Sequence, residues 1–280
     1  MPPTTPPKAL LFDIGGVCVF SPFQAILDYE LANRIPVGWI NFSISRAAPS
    51  GAWQRIERGE CILDDEFFAT FKTELEDASL WREYWNKLPE NEGKRTGAPP
   101  PPPGVNAKEL FWNMMRTSRT PDPYVYPALK ALRASGKFVL GALSNTIAFP
   151  RGIRDDHGVL FGGELQHPPN TPYANDGTAI ADRFDIFISS AHVGLRKPDP
   201  KIYELAVREL DAEARRQGLG GVNVGDVLFL DDIGANLKGA KSVGMRTLKV
   251  DLGKTEAAVR ELEELTGVKL LEGVQDRARL

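Results

Sequence analysis

Cysteine and histidine are scarce in this chain: two cysteines, Cys18 and Cys61, and three scattered histidines, His157, His167 and His192, in 280 residues. Two thiols make no disulfide framework, and no HExxH or paired-cysteine spacing offers a zinc site. No run of about 18 apolar residues is present, which excludes an apolar membrane-spanning helix. The opening residues MPPTTPPK have no basic region followed by an apolar stretch, so the first seven residues read as a disordered lead-in and a reducing, cytoplasmic setting is expected. Excess positive charge is also missing. With 34 basic against 37 acidic residues, a formal net charge of -3 and a pI near 5.8, the chain has no footprint for nucleic acid or an anionic surface. Neither GxxxxGK(S/T) nor GxGxxG occurs, which removes the common nucleotide-binding loops.

What is present is an ordinary globular balance, 42% hydrophobic and 25% charged, with length enough for a core and a second module. Ala9-Leu10-Leu11-Phe12 is a short apolar run ended by Asp13 and Gly15-Gly16, the pattern of a buried strand breaking into a tight turn. Four later runs repeat it: 138–143, 184–188, 227–230 and 246–250. Between them lie amphipathic segments over 124–135, 201–216, 235–243 and 255–265, with apolar residues at helical spacing. Asp199-Pro200 marks one start, an N-cap followed by proline at the first helical position. The alternation predicts an α/β fold, a Rossmann-like parallel sheet covered on both faces.

Residues 22–118 interrupt this order with helical text rich in Trp and Phe and without a buried-strand run, and read as an inserted α-helical cap. The sheet core is then 8–21 and 119–280. Within the cap, Pro99 to Pro103 reads as a stiff extended linker or exposed loop. A second irregular stretch, 149–182, carries Gly162-Gly163, Pro168-Pro169 and Asn175-Asp176-Gly177 and reads as a loop or flap inserted in the core.

In open parallel sheets ligands sit beyond the carboxyl ends of the strands, near the reversal of strand order. The polar residues fall at those ends: Asp13 after the first run, Ser144-Asn145 after the second, Lys197 after the third and Asp231-Asp232 after the fourth. Together they supply a carboxylate nucleophile, carboxylates for a divalent metal, donors for phosphate oxygens and a lysine to offset negative charge, the needs of phosphoryl transfer. An Asp before a turn is by itself turn chemistry. Four such positions at four strand ends, in chain order, are more than that.

Phe12-Asp13-Ile14-Gly15-Gly16-Val17, Leu143-Ser144-Asn145-Thr146, Gly194-Leu195-Arg196-Lys197-Pro198-Asp199-Pro200 and Phe229-Leu230-Asp231-Asp232-Ile233-Gly234-Ala235-Asn236 resemble the four ordered motifs of the haloacid dehalogenase superfamily. More narrowly, 229–238, Ala240, Gly244-Met245 and the tail 258–271 resemble the N-terminal phosphatase domain of bifunctional soluble epoxide hydrolases and the hydrolase-like domain of some acyl-CoA dehydrogenases. The resemblance implies a Mg2+-dependent phosphatase acting on a small-molecule phosphate ester, small or lipid-like. Asp13 would attack phosphorus and form an aspartyl-phosphate. Asp13, the Gly15 carbonyl and Asp232 would hold the metal, with Asp231 beside it or acting through water. Ser144 and Asn145 would bind phosphate oxygens, Lys197 would brace nucleophile and phosphate, and Asn236 would cap the following helix turn. The insertion matches the placement of a mobile cap. Trp53, Phe67, Phe68 and Phe71 would then either line an apolar substrate pocket or form the cap's own core.

One departure stands out: the family's phosphatases carry an aspartate two residues after the nucleophile as general acid and base, and here that position is Gly15. Loss of such a group commonly removes about 10²–10⁴-fold in rate. Three readings follow: a phosphatase with another proton source or a good leaving group, a catalytically weak or inactive phospholigand-binding module, and a dehalogenase, which needs the nucleophile but neither the acid nor magnesium.

Overall fold

The computed structural model describes residues 5–88 and 99–271. Each of the five apolar runs forms a strand: β1 (Ala9–Phe12), β2 (Val139–Ser144), β3 (Ile186–Ser189), β4 (Val227–Asp231) and β5 (Arg246–Lys249). All pairings are parallel and the strand order is β3-β2-β1-β4-β5. Continuous apolar runs are what such strands require, because both faces of a parallel sheet are covered. Every residue of β1, β2 and β4 is accordingly buried, while the edge strands β3 and β5 are partly exposed.

Alternation along the strands divides the core. Leu10, Phe12, Leu140, Ala142, Leu228 and Leu230 pack on one face, with residues of two helices, 125–135 and 255–266. Leu11, Val139, Leu143 and Phe229 pack on the other, with 200–216 and 234–242. Gly141 faces the helix over 200–216: a Cβ there would stand 3.0 Å from both Leu11 Cδ1 and Leu210 Cδ2. Asp199 accepts the Lys201 N–H at 2.9 Å with Pro200 at the first turn, so this helix begins where its cap and proline place it.

By its internal contacts the chain divides into two units, Met1–Ser21 with Ser118–Thr146 and Gly162–Leu280, and Pro22–Thr117 with Ile147–Phe161. The second unit is helical: α1 (Pro22–Ala32), α2 (Trp39–Ala47), α3 (Ala52–Glu57), α4 (Asp65–Leu75), α5 (Ala78–Trp85) and α6 (Ala107–Thr117). Asp64 and Asp77 cap α4 and α5, accepting the N–H of Phe67 and Leu80. In chain order the remaining helices, all in the sheet unit, are α7 (Val125–Ser135), α8 (Ser190–Val193), α9 (Pro200–Arg216), α10 (Gly234–Ser242) and α11 (Thr255–Thr266).

The aromatic residues of the helical unit pack on one another. Phe67 lies 5.7 Å from Phe71 and 5.8 Å from Phe111, and Trp53 lies 5.7 Å from Phe71. Phe67 and Phe71 are buried, Phe68 and Trp53 partly so. They form that unit's own core. The proline run is not a free linker, since the Pro100 carbonyl accepts the Trp81 indole N–H at 2.8 Å.

Two further expectations are corrected. The stretch 149–182 is not one insertion in the sheet unit: Phe149 and Phe161 need apolar partners and find Trp112 at 6.3 and 5.1 Å, which takes 147–161 into the helical unit. Of the lead-in, residues 1–4 lie outside the described residues. Thr5 is held, its carbonyl accepting from Arg246 Nη1 at 2.7 Å, and Pro7 is buried. No helix among the described residues is long and apolar enough to cross a membrane.

Residues 162–182 stay with the sheet unit through Asp176. Its carboxylate accepts from Tyr126 Oη at 2.6 Å, Thr178 Oγ1 at 2.8 Å and Arg183 Nη2 at 3.0 Å. The Tyr126 hydroxyl, ahead of Thr178 and Arg183, holds the Asp176 carboxyl well below the usual range. A depressed carboxyl stabilises the fold above its unfolded pKa, and that contribution is lost as pH falls through the folded value. Asp176→Asn is therefore expected to cost about 1–3 kcal/mol at neutral pH. In urea unfolding, the gap between the two proteins should be constant above about pH 5 and shrink progressively below it, as the carboxyl protonates first in the unfolded chain and only at lower pH in the folded one. A gap independent of pH would refute the assignment.

Candidate active site

The sheet topology brings the sequence-predicted residues to one place. Strand order reverses at β1 and β4, the switch point where an open parallel sheet binds ligands. Asp13 leaves β1 with its N–H on the Leu230 carbonyl at 2.8 Å, and Asp231 ends β4. One carboxylate oxygen from each of Asp13, Asp231 and Asp232 lies within 4.8 Å of the others. Lys197 reaches the cluster from the loop after α8, placing Nζ 2.8 Å from Asp13 Oδ1 and 2.8 Å from Asp231 Oδ2. The ammonium is 1% exposed, and the Phe229 ring lies 5.4 Å from it.

Burial of a charge this deep demands compensation. Desolvation works against the charged ammonium, but Asp13 and then Asp231 outweigh it and hold the Lys197 pKa above its ordinary value. Lys197 stays protonated. Three carboxylates against one ammonium leave an excess of negative charge, and it shows on the acids. Burial, opposed by Lys197 and reinforced by Asp231, raises Asp13. Burial, followed by the charge of Asp231, pushes Asp232 up to about 6.

The hydrogen bonds divide the labour among these residues. Asp231 is fully engaged by the protein: Oδ2 accepts from Lys197, Oδ1 accepts the Ile233 N–H at 2.7 Å, and Asn236 Nδ2 stands 3.1 Å from both oxygens. It braces Lys197 and the turn after β4, while its carboxylate stays within the cluster that could hold a cation. Asn236 is not a helix cap, because its amide goes to the buried Asp231 carboxylate, which needs donors more than an exposed helix turn does. Asp232 is the opposite case. Its Oδ1 is buried with no hydrogen-bond partner.

Asn145 is engaged with the backbone of Lys197. Its Oδ1 accepts the Lys197 N–H at 2.8 Å and its Nδ2 donates to the Lys197 carbonyl at 3.1 Å. The side chain pins the backbone that carries the lysine, so its amide is spent on positioning. Ser144 is buried at the end of β2, and among the described residues no protein group takes its hydroxyl. Gly16 has φ +80°, and a Cβ there would stand 2.6 Å from Asp232 Oδ2 and 2.9 Å from Leu252 Cδ2. Only glycine allows both the turn and the approach of Asp232.

Three supporting residues carried no functional signal in sequence. Cys18 donates its thiol to the Asp13 carbonyl at 3.1 Å. Ser190 bridges both backbone groups of Thr146 at 2.9 and 3.1 Å. Tyr203 donates to the Asn236 carbonyl at 2.8 Å. Ser190 and Tyr203 act on backbone far along the chain, which no local motif encodes, and Cys18 acts five residues back within its own turn. Of the histidines in the 149–182 stretch, His167 packs at 4.7 Å on Tyr126 and His157 is exposed, beside an Asp155-Asp156 pair bound to Arg116.

A doubly wound parallel sheet with a carboxylate cluster and a buried lysine at its switch point is the framework expected of a hydrolase with the four ordered motifs. The family profile described as haloacid dehalogenase-like hydrolase matches residues 7–244, and the chain belongs to that family. It is 39% identical over 266 residues to bifunctional epoxide hydrolase 2 of Rattus norvegicus, covering 95% of this chain and 40% of that protein. It is 28% identical over 269 residues to acyl-CoA dehydrogenase family member 10 of Mus musculus, covering 95% of this chain and 20% of that protein. The chain thus spans two fifths or less of these relatives' length. In fold it is similar to a HAD-like family hydrolase from Porphyromonas gingivalis, with a TM-score of 0.51, 19% identity, and 91% and 97% of the two chains covered.

Proposed function

We propose that this chain is a magnesium-dependent phosphatase-type hydrolase of a phosphomonoester, working through an aspartyl-phosphate on Asp13. The observation that carries the reading is the division at the switch point: Lys197 is shared at 2.8 Å by Asp13 and Asp231, while Asp232 Oδ1 is buried and unpartnered. A buried orphan carboxylate oxygen in a cluster with excess negative charge fits a hard cation, and an all-oxygen donor set favours magnesium. Asp13, Asp232 and the Gly15 carbonyl would hold it. When bound, the cation supplies positive charge opposite the phosphoryl oxygens.

In this reading Lys197 orients Asp13 so that Oδ2 is the attacking oxygen, and its charge offsets what develops on the phosphoryl group. The Ser144 hydroxyl donates to a phosphoryl oxygen. Asn145 positions the backbone of Lys197, and Asp231, itself held by Asn236, positions its ammonium. A carbon-halogen hydrolase needs no cation, and the unpartnered Asp232 oxygen weighs against it. The core formed by Phe67, Phe71 and Phe111 supplies no support for an apolar substrate face.

The test is phosphate release from p-nitrophenyl phosphate with and without magnesium, paired with thermal denaturation across a magnesium titration. Magnesium should be required for release and should raise the melting temperature. Asp232→Asn should remove both effects, weakening the apparent affinity about 10–100-fold. A melting temperature that rises equally in wild type and Asp232→Asn would place the cation elsewhere, and ligand binding without any release would identify a binding module.

A further inference from the structure

We infer that the site takes phosphoryl donors whose leaving group departs without a proton, such as acyl and aryl phosphates, and discriminates against unactivated alkyl phosphates. This rests on the phosphatase reading above and names its substrate class. The observation is an inventory of proton donors. Among the described residues of the sheet unit, each protonated side chain around Asp13 named below is either committed elsewhere or too weak an acid to serve.

The Lys197 ammonium is fixed between two carboxylates and nearly without solvent access. The Cys18 thiol donates to the Asp13 carbonyl from a buried position. The Tyr203 hydroxyl donates to the Asn236 carbonyl. Asp231 accepts on both oxygens, and Asp232 is assigned to the cation. Ser144 has a free hydroxyl, but an alcohol is far too weak an acid to protonate an alkoxide's precursor at neutral pH, so its hydrogen bond serves the phosphoryl oxygen. Position 15, next but one to Asp13, is glycine and has no side chain to contribute.

The two steps then balance without a protein acid. Asp13 carboxylate oxygen forms a bond to phosphorus as the bond from phosphorus to the ester oxygen breaks, giving the acyl phosphate dianion and the leaving group as its anion. Water next attacks phosphorus, the bond from phosphorus to Asp13 Oδ breaks, and the products are the Asp13 carboxylate and dihydrogen phosphate, which retains both protons of the water. The first step is rapid only when the departing anion is stable. A carboxylate or nitrophenolate meets that condition, and an alkoxide does not.

The experiment compares kcat/KM for p-nitrophenyl, phenyl and butyl phosphate and for acetyl phosphate, with magnesium, in the full chain. The activated donors should exceed butyl phosphate by about 10²–10⁴-fold, the contribution a positioned acid would make. An imidazole buffer, supplying protons from solution, should accelerate butyl phosphate and leave p-nitrophenyl phosphate unchanged. Gly15 is outside the left-handed region, so a side chain is conformationally allowed, and Gly15→Asp should narrow the ratio by about 10²-fold. Comparable kcat/KM across the series, with no buffer effect, would overturn the inference while leaving the phosphatase reading standing. No release from any donor would overturn the phosphatase reading and this one with it. Should Gly15→Asp not fold, the series and buffer effect in the unaltered chain decide the matter.

Discussion

Asp13→Asn is expected to abolish phosphate release while the protein stays folded. A carboxamide is no nucleophile, so the rate should fall by about 10⁴-fold or more, the scale on which removal of a covalent nucleophile is felt. Stability should move the other way. Asp13 sits in a cluster whose negative charge exceeds that of Lys197, and burial already raises its pKa. Taking away one carboxylate leaves Lys197 paired with Asp231 at 2.8 Å and the backbone pins of Asn145 untouched. Because two carboxylates share one ammonium here, taking one away relieves like-charge repulsion without leaving the ammonium unpaired, and the change should be neutral or stabilising by about 1–2 kcal/mol. Phosphate release and thermal melting, measured on one preparation without magnesium and then with it, separate the two effects. Release within tenfold of wild type would remove Asp13 from the role of nucleophile.

Lys197→Met has the largest expected effect on stability. Methionine keeps most of the stem's volume and its contact with Phe229, so the loss is that of the ammonium rather than of packing. Asp231, fully buried, would retain Ile233 and Asn236 as donors but no positive charge, and Asp13 would stand beside it unpaired. Breaking a buried pair by removing one partner costs about 3–5 kcal/mol. Urea unfolding should record that loss, and Asp13→Asn in the Lys197→Met background should restore part of it, because the two sites share one interaction. A loss below about 1 kcal/mol would show that the ammonium is not what balances the cluster. Activity should vanish in Lys197→Met in any case, since the Ile14 N–H, which also donates to Asp13 Oδ1 at 2.6 Å, carries no charge to offset the phosphoryl group.

How much was legible beforehand follows from where each signal resides. The five strands were readable because a parallel strand buried on both faces must be apolar along its whole length, and that is a local property of four to six residues. The start of α9 was readable because Asp199 and Pro200 act on the turn they adjoin. The aromatic helical segment was recognisable as a separate unit, but helical spacing, though it favours a core, left a pocket lining open until Phe67, Phe71 and Phe111 were seen packed together. The stretch 149–182 was divided between two units by Phe149 and Phe161, whose partner Trp112 lies far back along the chain.

By itself, then, the sequence determined the α/β alternation, the placement of Asp13, Ser144, Lys197 and Asp231-Asp232 at strand ends, and the lack of an acid at Gly15. Only the tertiary structure decided what each does. Asp231 and Asp232 are neighbours of the same chemical type, yet Lys197, 34 residues away, and Asn236 occupy the first and leave an oxygen of the second unpartnered. Asn145 reads as a phosphate donor until it is seen holding the backbone of Lys197, 52 residues on. Burial is the physical reason for both. Once a charge is withdrawn from water its donors must come from the protein, and which donors reach it depends on the packing of the whole sheet rather than on any neighbouring residue.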